Sequence, residues 1–307
     1  MHHDGRLLGR RTLLTGSLRL AASLPFLPRA ALGETRAKRI AAPDRASAQA
    51  LLAMGVVPIA SVSQQFYDDM GGALSLPKEV VNCGEPIEPN LEVLESLGVD
   101  LVVVTTIDGN VKDTLSRVAP VFSLNIYQDG GKTLERARSE TLRLADLIDA
   151  GNQARAYVRS FDAALEQDIA RSRQGYRSDR SSMFLVSLAD DGRNMNVFGR
   201  NSLMFDVMGK FGIENAWTGS TSIFGIASAG IEQLADHPSA GILYIDYGPE
   251  TDAALARLAQ SPFWRALPMV RQGRVYRIAK FDALGGLPAA GQFSSSLADT
   301  LSRVGPA

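Results

Sequence analysis

Cysteine is almost absent from this 307-residue chain, in which Cys83 is the only one. No disulfide framework and no thiolate zinc cluster can be built from it, and with no histidine nearby in sequence Cys83 reads as a small packed side chain. Histidine is nearly as scarce: of three in the sequence, His2 and His3 stand at the N-terminus and His237 alone lies deeper. A Ser-His-Asp triad would have to use His237, the Gly-x-Ser-x-Gly elbow does not occur, and histidine-based zinc sites lack ligands. Neither Gly-x-Gly-x-x-Gly nor the P-loop pattern is present, which leaves nucleotide cofactors unsupported. A formal net charge of −1 and the lack of any basic stripe disfavour a nucleic-acid partner. The carboxylate pairs Asp68-Asp69 and Asp190-Asp191 lie in polar stretches, where adjacent acids are solvated rather than catalytic.

What is there is an ordinary globular composition, 45% hydrophobic and 21% charged, with length for two domains. Residues 1–33 read as an export signal: Arg10-Arg11 precede an apolar run from Leu13 to Leu27, and Ala30, Ala31 and Gly33 offer a cleavage site. The pair in Gly-Arg-Arg-Thr-Leu-Leu is similar to a twin-arginine signal. Arg19 interrupts the run, which argues against a permanent membrane helix. With no cysteine at the cleavage site to carry a lipid, the mature protein is expected to be soluble and free in a periplasm.

Strand and helix patterns alternate along the chain. Arg39 to Ala42 reads as a strand, Ser47 as the cap of a helix through Met54, and Gly55 to Val62 as a second strand. Gln64 to Leu76 reads as a polar loop bearing Tyr67 and Met70. Tyr67 either stacks on a ligand or covers a lobe edge. Gly84 to Pro89, with its prolines, reads as irregular; Asn90 caps a short helix with a Leu91, Leu94, Leu97 stripe, and Gly98 ends it. Leu101 to Val104 has the unbroken apolar run of a doubly covered strand. In open α/β sheets ligands meet the carboxyl ends of strands, which puts Thr106, Asp108 and Asn110 at a candidate site. A helix from Lys112 to Val118 and a strand from Val121 to Asn125 complete a doubly wound lobe.

Helical periodicity then runs from Thr133 through Leu147 and, past Asp149, as far as Arg173, where Ala154, Tyr157, Val158, Phe161, Leu165 and Ile169 form one apolar face. A second α/β lobe follows. Its strands are Met183 to Leu188, Asn196 to Phe198, Gly241 to Tyr247 and Arg274 to Ile278, and its last helix runs from Gln292 to Val304. Asn201-Ser202 caps the helix Leu203 to Phe211, and Arg200 beside its first turn makes a spot suited to an anion. The fold class is therefore α/β: two doubly wound lobes, residues 38–148 and 180–307, bridged by one long helix, residues 149–174.

The order of short segments carries a resemblance. Leu-Leu-Ala-Met-Gly-Val-Val-Pro at Leu51 to Pro58, Glu-Pro-Asn-Leu-Glu at Glu88 to Glu92, Phe-Gly-Arg-Asn-Ser-Leu at Phe198 to Leu203, Asn-Ala-Trp at Asn215 to Trp217 and Ser-Pro-Phe-Trp-Arg-Ala-Leu-Pro at Ser261 to Pro268 succeed one another with a long helix between the halves. The chain resembles the periplasmic binding proteins that deliver ferric siderophores to ABC importers, and among them the ferric hydroxamate binders. The resemblance implies the helical-backbone periplasmic binding protein fold with little hinge motion, no catalysis, no cofactor, and a cargo held in a shallow cleft between the lobes with its iron coordinated by the siderophore, hydroxamate or mixed citrate-hydroxamate, rather than by the protein. It implies a monomer that docks on an inner-membrane permease through one acidic residue per lobe, at Glu92 and Glu232, which on the bland reading are plain exposed carboxylates. Those relatives carry a ligand-binding arginine where this chain has Pro86 and a tyrosine where it has Asp108. Arg200 is the candidate replacement. Tyr67, Met70, Asn201, Phe224 and Phe281 are candidates for the rest of the cleft, as is Trp217, which equally suits a packing role. Cobalamin or haem carriage on the same fold is the alternative, with Tyr67 as a haem ligand, and an exported hydrolase is the distant one.

Overall fold

The structure, a computed structural model, describes residues 39–105, 109–173 and 182–303. The export signal of residues 1–33 and the site candidates Thr106 and Asp108 lie outside the described residues. The first lobe opens with β1 (Ile40–Ala42), α1 (Arg45–Ala53), β2 (Ala60–Ser61), α2 (Gln64–Asp69) and β3 (Val81–Asn82). A small hairpin, β4 (Gly84–Glu85) and β5 (Glu88–Pro89), leads into α3 (Leu91–Ser96), β6 (Leu101–Thr105), α4 (Gly109–Leu115) and β7 (Val121–Leu124). Strands β3-β2-β1-β6-β7 form a five-stranded sheet, parallel throughout.

Helices α5 (Thr133–Leu147) and α6 (Gly151–Ser172) carry the chain to the second lobe. There β8 (Ser182–Leu188) and β9 (Asn194–Phe198) form a hairpin, followed by α7 (Leu203–Lys210), β10 (Glu214–Asn215), β11 (Ile226–Gly230) and a 3-10 turn, Ile231–Asp236. The lobe closes with β12 (Gly241–Asp246), α8 (Pro249–Gln260), α9 (Pro262–Ala266), α10 (Pro268–Arg271), β13 (Val275–Ala279) and α11 (Gly286–Arg303). Its sheet runs β11-β9-β8-β12-β13 with β10 added beside β8, and it is mixed because β9 is antiparallel to both neighbours.

Side-chain alternation divides the core. In β6, Leu101 and Val103 face a large cluster shared by both lobes, whereas Val102 and Val104 face a smaller one with Cys83 and Leu94. In β8, Met183 and Leu185 face the shared cluster, and Phe184 and Val186 face a third with Trp264. The shared cluster is capped by Leu287, Phe293 and Leu297 of α11, all essentially inaccessible. Each such side chain stabilises the fold by about 1.5–3 kcal/mol. α11 is also pinned to α6 by polar contacts: Ser294 Oγ donates to Asp168 Oδ2 at 2.7 Å, while Arg171 donates to the Ser295 carbonyl at 3.3 Å and pairs with Asp299 at 3.2 Å. The lobes are thus joined by a layer of helices, α6 among them.

Several local expectations change. Asp44, not Ser47, caps α1: its Oδ1 accepts from the Ser47 N–H at 2.9 Å, and the Ser47 hydroxyl donates back to the Asp44 carbonyl. Part of the Gln64 to Leu76 stretch is the helix α2, capped by Ser63, whose Oγ accepts from Phe66 N–H. The segment Gly84 to Pro89 is a hairpin, since Pro86 sits at its two-residue tip and Pro89 on an edge, where neither must donate to a sheet. α11 begins at Gly286 rather than Gln292, because Pro288 falls in its first turn, where an N–H has no helical partner to lose. Asn90 does cap α3, accepting from Val93 N–H at 3.1 Å.

Candidate functional site

A cleft opens where the first sheet's strands end. Asp44 closes β1 and receives the end of β6: its Oδ2 accepts from Thr105 N–H at 2.7 Å and its Oδ1 from Thr105 Oγ1 at 2.9 Å. Burial pushes the Asp44 carboxyl above its ordinary range, against the opposing pull of its hydrogen bonds from Ser47 and Thr105. Beyond it lies a chamber of about 330 Å³ bounded by Pro86, Ile87, Val111, Tyr127, Phe224 and Leu284, with Arg45 in its wall. The Tyr127 and Phe224 rings tilt together at 5.7 Å, and burial pushes the Tyr127 phenol far up. Ile87, at the hairpin tip, is 84% exposed, an apolar side chain held over an apolar chamber.

A second chamber of about 350 Å³ shares Arg45 and Leu284 with the first and continues past Met70, Asn196, Tyr247 and Glu250. Arg45 therefore stands between the two. Its Nε donates to Asp282 Oδ2 at 2.9 Å and its Nη2 to Asp282 Oδ1 at 3.3 Å, and its guanidinium stacks on Phe66 at 4.8 Å. Asp282 is 1% exposed and also accepts from Gln49 Nε2 and Leu284 N–H. A guanidinium has five N–H donors in a rigid fork, so this pairing fixes Arg45 and leaves Nη1 without a protein acceptor among the described residues. Because Gln49 also accepts from Ala73 N–H, and Asp282 N–H donates to Gly71, the network is a lock between α1 and the segment joining β13 to α11.

The sequence candidates scatter. Pro86 and Phe224 line the first chamber and Met70 the second. Tyr67 is fully buried and its hydroxyl donates to the Leu74 carbonyl at 2.7 Å, so it offers neither a face to a ligand nor an oxygen to haem iron. Phe281 is fully buried against Phe293, ring centroids 5.1 Å apart, and belongs to the core. Arg200 and Trp217 line a separate cavity of about 760 Å³ in the second lobe, with Phe205, Ile213 and Glu214. Trp217 lies there because Gly199 and Gly219 make room: a Cβ on either would fall 2.6 or 2.7 Å from its ring. Asn201 lines that cavity at φ 76° and also ties it to the start of α5, accepting from Gly131 N–H at 3.0 Å, while its carbonyl accepts from Thr133 Oγ1. Glu92 and Glu232 are exposed in first turns, one on each lobe. His237 packs its ring on Phe184 and Cys83 is buried with its thiol pushed up to about 12 by burial, so neither belongs to the cleft.

Arg45 escaped the sequence reading. Its one local signal is a position three residues past the end of β1, and its partner is 237 residues away. Among the described residues no group of three or more His, Cys, Asp or Glu side chains could hold a metal ion, and no helix is long and apolar enough to cross a membrane.

Comparison with known proteins accounts for this architecture. Residues 40–280 match the model of the periplasmic binding protein family. The iron(3+)-hydroxamate-binding protein FhuD of Escherichia coli K12 is 30% identical over 273 residues, 89% of either chain. Among solved structures, the Fe3+–Desferal-bound siderophore binding protein FhuD from Vibrio cholerae superposes with a TM-score of 0.79 at 21% identity, covering 88% of this chain and 100% of that one. The triscatecholate siderophore binding protein FeuA from Bacillus subtilis follows at 0.66 and 15%, over 87% and 93% of the chains. At those identities the structural likeness is one of fold, and it includes both lobes. These three are binding proteins, and this chain belongs to the periplasmic binding protein family.

Proposed function

We propose that the protein captures a ferric siderophore of the hydroxamate type in the cleft between its lobes and delivers it to the permease of an ABC importer. The observation that carries this reading is the first chamber, an apolar hollow walled by Tyr127, Phe224, Pro86, Ile87 and Leu284 with a single pinned guanidinium at its edge. A ferric chelate presents hydrocarbon linkers outside and metal-bound oxygens in one patch. The apolar walls take the linkers, and the Nη1 donors of Arg45 meet the oxygens, whose partial negative charge a guanidinium recognises. Iron is cargo in this reading, coordinated by its chelator. Arg45 rather than Arg200 supplies the cation, because Arg200 lines the other cavity.

Isothermal titration calorimetry tests it, since neither Trp217 nor Trp264 lines the cleft to report by fluorescence. Ferric complexes of a linear trihydroxamate, a citrate-hydroxamate and a tris-catecholate are titrated, with iron-free forms as controls. At least one ferric hydroxamate should bind more tightly than about 10 μM, roughly −7 kcal/mol; if none does, the reading fails. Delivery is tested separately: Glu92→Lys with Glu232→Lys should leave the titration unchanged and abolish uptake, because both carboxylates are exposed and outside the cleft lining. Weakened binding in that double variant would remove the docking role.

A further inference from the structure

The charges around the cleft can be paired off one by one. Among the described residues four charged side chains line its two chambers: Asp44, Arg45, Asp282 and Glu250. Arg45 and Asp282 neutralise each other through two hydrogen bonds. Asp44 is occupied by Ser47 and Thr105, with each of its oxygens engaged. Glu250 remains. It is exposed, has no hydrogen bond or ion pair among the described residues, and sits in the first turn of α8. Among the described residues no second cation lines either chamber, and their charges leave the cleft negative on balance. Asp44, in the first chamber, has no counter-ion but is enclosed by its hydrogen bonds, so the exposed surplus charge lies in the chamber that also carries the polar side chains of Asn196 and Ser187, while the first is otherwise bounded chiefly by hydrocarbon.

Resting on the proposed function, we infer that the cleft selects a neutral ferric trihydroxamate core bearing a protonated amine arm, the core in the first chamber and the ammonium group in the second against Glu250. Three hydroxamates cancel the charge of the ferric ion, so the only net charge on such a ligand is its arm. A ferric tris-catecholate is trianionic and would bring that charge to a cleft whose one guanidinium is already neutralised; like-charge juxtaposition of this kind is strongly unfavourable. A bland role exists for Glu250 as an acid stabilising the start of α8. That role alters folding stability and leaves ligand choice untouched.

The test uses the mature protein and a matched pair of probes: the ferric complex of a linear trihydroxamate with a terminal primary amine, and its N-acetylated, neutral twin. A ferric tris-catecholate is the third probe. By calorimetry at low ionic strength the amine form should bind about 3- to 5-fold more tightly than its twin, as expected of an exposed ion pair. Added salt should shrink that advantage. Glu250→Gln should reduce it to under about 2-fold while leaving the twin's affinity unchanged, and the tris-catecholate should bind at least about 10-fold more weakly than the twin. Folding is not at issue in this variant, because Glu250 is exposed and unpaired among the described residues. Equal binding of the twins to the parent protein, or a preference that survives Glu250→Gln, overturns the inference while the functional reading stands. Failure of all three probes to bind overturns the functional reading and the inference together.

Discussion

The cleft and the second-lobe cavity contain the same kinds of groups, aromatic rings beside an arginine, yet they are built differently. In the cavity Arg200 is exposed and Trp217 is fitted between glycines. In the cleft Arg45 is fixed by a nearly inaccessible carboxylate, and that carboxylate also joins α1 to the approach to α11. Size does not separate them in favour of the cleft, since the cavity is the larger. Preorganisation does: a donor already immobilised loses little freedom when a ligand arrives.

The sharpest way to break this comparison is to remove the fixing charge. Asp282→Ala leaves Arg45 in a mostly buried place without its counter-ion, and unfolding in urea should show a loss of about 3–5 kcal/mol. Arg200→Ala should change stability by less than about 0.5 kcal/mol in the same assay. Equal effects would show that the two arginines are held alike. Next in size, Phe224→Ala should weaken binding of a ferric trihydroxamate about 10-fold in calorimetry, as loss of an aromatic anchor does. Trp217→Phe should leave it within about 2-fold, and the reverse order would move the site into the cavity.

The smallest effect concerns protons. Burial, aided by the Asp282 charge, pushes the Tyr247 phenol in the second chamber up to about 12, and burial does the same for Tyr157 on α6. Both phenols favour their neutral form in the fold. Their contribution is complete below the ordinary tyrosine value of 10.0 and is lost as pH rises from there through about 12. Unfolding midpoints measured beside phenolate absorbance should therefore hold steady to about pH 10 and decline above it. Phenolate absorbance of these two rings already half developed at pH 10 would show them to be solvated.

What the sequence made legible follows from range. Asn90 and Ser202 were readable as caps because each partner N–H is three residues ahead. The α/β alternation was readable because β6 is apolar on both faces. Tyr67 was misplaced because a polar stretch hid a helix, and its phenol finds an acceptor at Leu74, across a turn that no periodicity marks. Arg45 was invisible for a stronger reason: an arginine after a strand is unremarkable until Asp282 is brought beside it by the whole fold. The candidates Pro86, Met70 and Phe224 converge on the cleft, while Arg200 and Trp217 followed motif order into another cavity.

The C-terminal helix has a consequence for synthesis. α11 supplies Leu287, Phe293 and Leu297 to the core shared by both sheets and packs against α1, α5, α6 and α7. A ribosome makes these residues after every strand of both sheets. Neither lobe has its complete interior until α11 has been made, so a nascent protein must hold the inner faces of both sheets in waiting, and a chain stopped before Gly286 is two unfinished halves rather than one sound domain and one damaged one.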